Sequence, residues 1–189
     1  MRRIKTRGGY NMFEDYLEDA SYFFDRANDP SSDEKIARRY YRVSILCAAN
    51  AAEAFVNYVA DTLSKGAPLE VHEIAFLRDK KFAFELNKQA LLIERTEYHP
   101  LEDKLGLLIK KFIKNFDFKS DMDWKNINEF KKLRNDLAHP RNVDDVTSLI
   151  DYKQLIKRSL ASIITIMDKL YQAMHRSSLR RKLLDLIPD

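Results

Sequence analysis

The chain has 189 residues, of which 45% are hydrophobic and 33% charged, with only 4 glycines and 5 prolines. That length suits one domain with a substantial core, and the scarcity of turn residues excludes a many-stranded fold in favour of an all-α one. A net charge of +4 and a pI near 9.0 permit an anionic partner without requiring one. The single cysteine, Cys47, excludes an internal disulfide and a cysteine-cluster metal site.

Met1-Arg2-Arg3-Ile4-Lys5 opens a basic tail with no apolar run behind it, so no signal peptide is expected there. A first helix is predicted from Asn11 to Ala27, with Phe13, Tyr16, Leu17, Ala20, Phe23 and Phe24 on one side. Asn28-Asp29-Pro30 ends it. Ser31-Ser32-Asp33-Glu34 reads as a capping box, Ser31 and Glu34 satisfying each other's end of the next helix. That second helix should run to about Ser64 and stop at Gly66. Its stretch from Val43 to Ala60 is apolar almost all round, with Cys47 a core thiol. Asn50, Glu53 and Asn57 interrupt it at i, i+3 and i+7, which argues for a buried helix of a cytoplasmic protein rather than a membrane span.

Between Pro68 and Glu97 the pattern is weak. Glu70 to Lys80 and Leu86 to Arg95 look helical, whereas Lys81-Phe82-Ala83-Phe84-Glu85 alternates and suits an extended segment. Pro100 suits the first turn of another helix. There Leu105, Leu108, Ile109, Phe112, Ile113 and Phe116 form a stripe, with Lys104, Lys110, Lys111 and Lys114 mostly off it as a solvated face or a nucleic-acid surface. Asp123 is expected to cap a helix from Trp124 to about His139, and Asp144 or Asp145 a long one from Val146 to about His175. The basic run from Arg176 to Lys182 leads to Leu183, Leu184, Leu186 and Ile187, an apolar cluster that can dock on the bundle or on a second subunit.

The chemistry concentrates in Arg134-Asn135-Asp136-Leu137-Ala138-His139-Pro140. Arginine binds phosphate oxygens bidentately, and histidine exchanges a proton near neutral pH. At about 100° per residue, Ile127, Phe130, Leu133 and Leu137 make an apolar arc with Arg134 inside it. Either Arg134 is paired there, or it snorkels to the surface and His139 is only a C-terminal cap. Pro140 should end the helix at His139, where the macrodipole favours the protonated imidazole. Glu53 is a candidate partner for Arg134. Equally, its stripe can be solvent-exposed, because Lys35, Arg39 and Arg42 lie on nearly the same face. His72, His99, His139 and His175 are scattered, and Gly8-Gly9 does not lead a strand into a helix, so neither a metal hydrolase nor a phosphate loop is indicated.

Leu133 to Pro140 resembles the R-x4-6-H signature of HEPN domains. Ala48 to Asn57 resembles the helix often found upstream in that family, and Leu101-Glu102-Asp103-Lys104-Leu105 resembles a short element between the two. The resemblance covers roughly residues 10–171. It implies an up-and-down helical bundle with peripheral helices, one domain over 1–189 with its core at about 10–175. It further implies a homodimer whose two motifs share one cleft, and a metal-independent endoribonuclease of toxin–antitoxin, phage-defence or RNA-processing systems. RNA would be the substrate and an antitoxin protein a candidate partner, with no cofactor and no membrane. On that basis His139 would handle protons, Arg134 would stabilise phosphate, and Asn135 would orient the RNA or the pair. Asp136, Glu53, Asn50, Asn57 and Arg141 would support binding. One subfamily carries a modified tyrosine where this chain has Arg141, so that regulation does not carry over, and the cation would contact phosphate instead. Other family members are inactive scaffolds, so a non-catalytic RNA- or protein-binding module with a structural R-x4-H element stands as the alternative.

Overall fold

Helical periodicity from Phe13 to Phe24 is realised as α1 (Met12–Ala27), which buries Phe13, Leu17, Ala20 and Phe24. The structure is a computed structural model and describes residues 11–63, 69–85, 91–138 and 148–188. A short connection returns the chain along α1 as α2 (Glu34–Leu63), the longest helix described. Then come α3 (Val71–Leu77), a hairpin of β1 (Lys80–Glu85) and β2 (Leu91–Thr96), α4 (Leu101–Phe112), α5 (Met122–Ala138), α6 (Leu149–His175) and the short α7 (Arg181–Leu184). Among the described residues the fold is therefore all-α apart from one two-stranded antiparallel hairpin.

α2 is the central pillar. It packs against α1 on one side and against α5 and α6 on others. Phe13 meets Phe55 edge-to-face at 5.3 Å, and Tyr41 stacks on Tyr152 at 5.9 Å, tying α1, α2 and α6 into one core. By length and composition α2 could cross a bilayer, yet over half of its most apolar window, 56%, is buried inside the fold. Ser44 sits on this buried face and donates to the Ala20 carbonyl at 2.7 Å, so its hydroxyl is satisfied. Cys47 is half-buried rather than a full core thiol, and burial pushes its thiol pKa up.

Several local expectations are corrected. The cap of α2 is Asp33, whose carboxylate accepts the Ile36 N–H at 2.8 Å. Ser31 instead donates its hydroxyl to Asp29 at 2.7 Å, closing the preceding turn. Pro100 lies one residue outside α4, in an extended conformation. Of the helix expected from Leu86 to Arg95, residues 86–90 lie outside the described residues, and the rest is not helical: Leu91–Thr96 is a strand, with Lys80 opposite Thr96 and Lys81 opposite Arg95. The extended reading of Lys81 to Glu85 is correct.

α4 also stops earlier than its stripe. Ile113 is extended and Asn115 takes a left-handed φ of 58°, which asparagine tolerates better than most residues. Phe116 and Phe118 then meet edge-to-face at 4.8 Å, and Phe118 meets Trp124 at 5.1 Å. The apolar side chains thus close a turn instead of extending a helix.

α5 begins at Met122, capped by Asp121, which accepts the Trp124 N–H at 2.8 Å. Asp123 faces α6, accepting from Ser162 at 3.1 Å and from Lys169 at 2.9 Å. Ser148 caps α6 by accepting the Asp151 N–H at 3.1 Å; Asp144, Asp145 and Val146 lie outside the described residues, as do Ser64 and Gly66. The C-terminal cluster docks on the bundle itself. Leu179 and Leu183 are buried, and Arg180 and Lys182 reach Glu14 and Glu18 of α1.

Candidate functional site

A cleft of about 370 Å³ opens between α2, α4, α5 and α6. Its walls are apolar, formed by Ala49, Ala52, Leu105, Ile127, Phe130 and Ile163. Its polar lining comes from Glu53 of α2, Glu102 of α4, and Lys131, Arg134 and Asn135 of α5, together with Tyr98 before α4. Spacing explains the α5 side. Ile127 and Phe130 are buried against the bundle, and one turn further on the same arc carries Arg134 to the wall, half-buried.

Arg134 donates from Nη1 to Asn135 Oδ1 at 3.1 Å. Among the described residues it pairs with no carboxylate. Among the described residues, then, the guanidinium is positioned by a neutral amide oxygen rather than by a carboxylate. Lys131 is ion-paired with Glu102 across the cleft rim.

The counter-charge of Glu53 is not Arg134. Glu53 accepts instead from Lys104 at 3.3 Å. Lys104 is only 1% exposed and also donates to Asp79 at 2.7 Å. Two carboxylates, 28% and 32% exposed, thereby hold one buried ammonium, which meets the cost of burying it. Lys104 therefore lies within the core, not on a solvated face. The signal was present in the sequence: Lys104 is four residues before Leu108 and adjacent to Leu105, inside the buried sector of its helix. Of the other lysines of this region, Lys111 pairs with Glu73 at 3.0 Å, and Lys110 lies over the Phe118 ring at 5.7 Å.

The remaining candidates separate. Asp136 is exposed on α5 and Asn50 exposed on α2, neither lining the cleft. Asn57 is exposed and lines a different hollow, with Asn11, Tyr58 and Asp61. At about 100° per residue Asn50 and Asn57 point nearly the same way, and Glu53 lies at one edge of the stripe, on the side of Ala49 and Ala52, so it alone of the three reaches the cleft. His139, Pro140 and Arg141 lie outside the described residues. Tyr98 was not singled out by periodicity, because it sits in a connection; its position just before His99-Pro100 at the start of α4 puts it at the cleft mouth. Among the described residues no three His, Cys, Asp or Glu side chains cluster as a metal ion would need.

Comparison with protein families matches the family described as RiboL-PSP-HEPN over residues 11–175. No curated protein and no solved structure matches the chain.

Proposed function

Because this chain belongs to the RiboL-PSP-HEPN family, a HEPN-type domain that points to RNA-related work, we propose that it is a metal-independent endoribonuclease acting in the cytoplasm as a homodimer. In this reading two copies bring their Arg134 and His139 elements to one composite groove. The protein serves a toxin–antitoxin, phage-defence or RNA-processing system, with an antitoxin protein as its regulator in the first case.

The observation that carries the reading is Arg134 on the cleft wall with the neutral Asn135 as its described partner. An arginine satisfied by a carboxylate has little left to offer a phosphate. One oriented by an amide oxygen keeps its charge and most of its donors available. The RNA 2′-oxygen attacks the adjacent phosphorus as the P–O5′ bond breaks; His139 serves the transfer of the 2′-hydroxyl proton to the departing 5′-oxygen, and Arg134 stabilises the charge that gathers on the phosphoryl oxygens. The protein need supply neither a nucleophile nor a metal for that chemistry. Asn135 acts by holding the guanidinium plane.

The test is incubation of the purified protein with single-stranded RNA in excess EDTA, with the product ends identified. A 2′,3′-cyclic phosphate beside a 5′-hydroxyl is expected. RNA binding without cleavage would replace the reading by that of a non-catalytic RNA-binding scaffold.

A further inference from the structure

The cleft is larger and more apolar than a phosphate site requires. A phosphodiester on Arg134 needs donors, not walls of alanine, leucine, isoleucine and phenylalanine. Tyr98 is also unusual, at 67% exposed. Its ring lines the same cleft and lies 6.0 Å from the ammonium of Lys104. An exposed aromatic at the mouth of an apolar cleft, beside an arginine that no carboxylate among the described residues pairs, is the arrangement that single-stranded nucleic acid uses. Its bases stack on aromatic faces while its backbone meets cations.

We infer that this cleft is a nucleobase subsite, in which Tyr98 stacks one unpaired base of the RNA and Glu53 reads its edge. The inference rests on the RNA-binding reading above and names the part of the RNA that enters. Glu53 is held in place by Lys104 at 3.3 Å, so it presents a fixed acceptor. A carboxylate accepts hydrogen bonds and cannot donate them. It therefore suits a base carrying an exocyclic amine, as when Glu accepts from cytosine N4. Uracil offers one N–H flanked by two carbonyl oxygens that face the carboxylate unfavourably. The subsite selects adenine, cytosine or guanine over uracil.

Binding is measured with short 2′-O-methyl oligonucleotides, which lack the attacking hydroxyl, so the result is independent of cleavage. The probes are an all-uridine strand and the same strand with one central adenosine, cytidine or guanosine. Fluorescence anisotropy should show tighter binding of at least one amine-bearing probe than of the all-uridine one. Tyr98→Ala should weaken that probe roughly 5- to 150-fold, the worth of one base–aromatic stack. Tyr98→Phe should retain the affinity. Glu53→Gln, which can donate as well as accept, should erase the preference over uridine while melting near the parent temperature.

Equal binding of all four probes, or Tyr98→Ala within about twofold of the parent, would overturn the subsite. A Tyr98→Ala protein that sediments as monomer while the parent is a dimer would do so too, because the cleft would then be covered by a second copy. Base-selective binding with no cleavage of ordinary RNA would leave the subsite standing and remove only the nuclease reading. His139-dependent cleavage with no effect at Tyr98 would do the reverse.

Discussion

Lys104 Nζ donates to Asp79 Oδ2 at 2.7 Å, joining α4 to the residue that opens the hairpin. Asp79 has a left-handed φ of 56°. Its other carboxylate oxygen accepts the His99 N–H at 2.7 Å, and its carbonyl accepts the Glu97 N–H at 2.9 Å. One aspartate thus closes the hairpin base, leads the chain towards Tyr98 and compensates a buried cation.

Removing Asp79 should be the costlier way to break this cluster. Asp79→Ala leaves Lys104 with one longer contact and puts a β-carbon without a side-chain acceptor at a positive φ, so a loss of about 3 kcal/mol is expected, the low end for breaking a buried pair. Glu53→Gln should cost only about 1 kcal/mol, because Asp79 still holds the ammonium. Urea unfolding of both variants checks the order, and an Asp79→Ala protein as stable as Glu53→Gln would contradict it.

For catalysis, His139→Ala should lower the RNA cleavage rate by roughly 10²–10⁴-fold, the usual worth of a positioned acid or base. Arg134→Ala should do comparable harm through lost charge stabilisation. Circular dichroism run beside the assay should show both variants folded. Undiminished cleavage by folded His139→Ala would refute the mechanism.

DNA of the same sequence should resist cleavage because it lacks the 2′-hydroxyl. A single 2′-deoxy substitution at the cut site should block cleavage at that position alone. Mass spectrometry of the fragments reads this directly.

Acid should loosen the contact between α3 and α4. Burial pushes the Glu73 carboxyl up, but the Glu70 backbone N–H and the Lys111 ammonium outweigh it and hold it below its ordinary 4.5. The folded state therefore binds this proton less readily than the unfolded one. Its stabilisation is present above pH 4.5 and is lost as pH falls through the lowered folded value. Stability measured from pH 6 downward should fall less steeply in Glu73→Gln than in the parent over that window.

At the C-terminus, Leu183 is fully buried although α7 has only four residues. Leu183→Ala should cost about 2–5 kcal/mol if α7 belongs to the cooperative core. A change below about 0.5 kcal/mol in thermal or urea unfolding, the range of a surface substitution, would show that the tail docks independently.

Local pattern by itself determined that this chain is helical, where α1 begins and ends, that Leu183 belongs to an apolar cluster, and that Arg134 lies on the arc of Ile127 and Phe130. Those facts follow from a 3.6-residue period that acts within a turn or two. The resemblance of Leu133 to Pro140 to the HEPN signature also pointed to the family that residues 11–175 match. What only tertiary structure decided are the pairings across distance. Glu53 and Lys104 are 51 positions apart, and Asp79 and Lys104 are 25; nothing local distinguishes Lys104 from Arg134 as the partner of a half-buried carboxylate. The hairpin was hidden for the same reason, since Leu91 to Thr96 becomes a strand only because Lys80 to Glu85 lies alongside to satisfy its backbone. Caps behaved likewise: Asp33 and Asp121, not their neighbours Ser31 and Asp123, accept the first free N–H groups of α2 and α5, because the bundle sets where each helix begins.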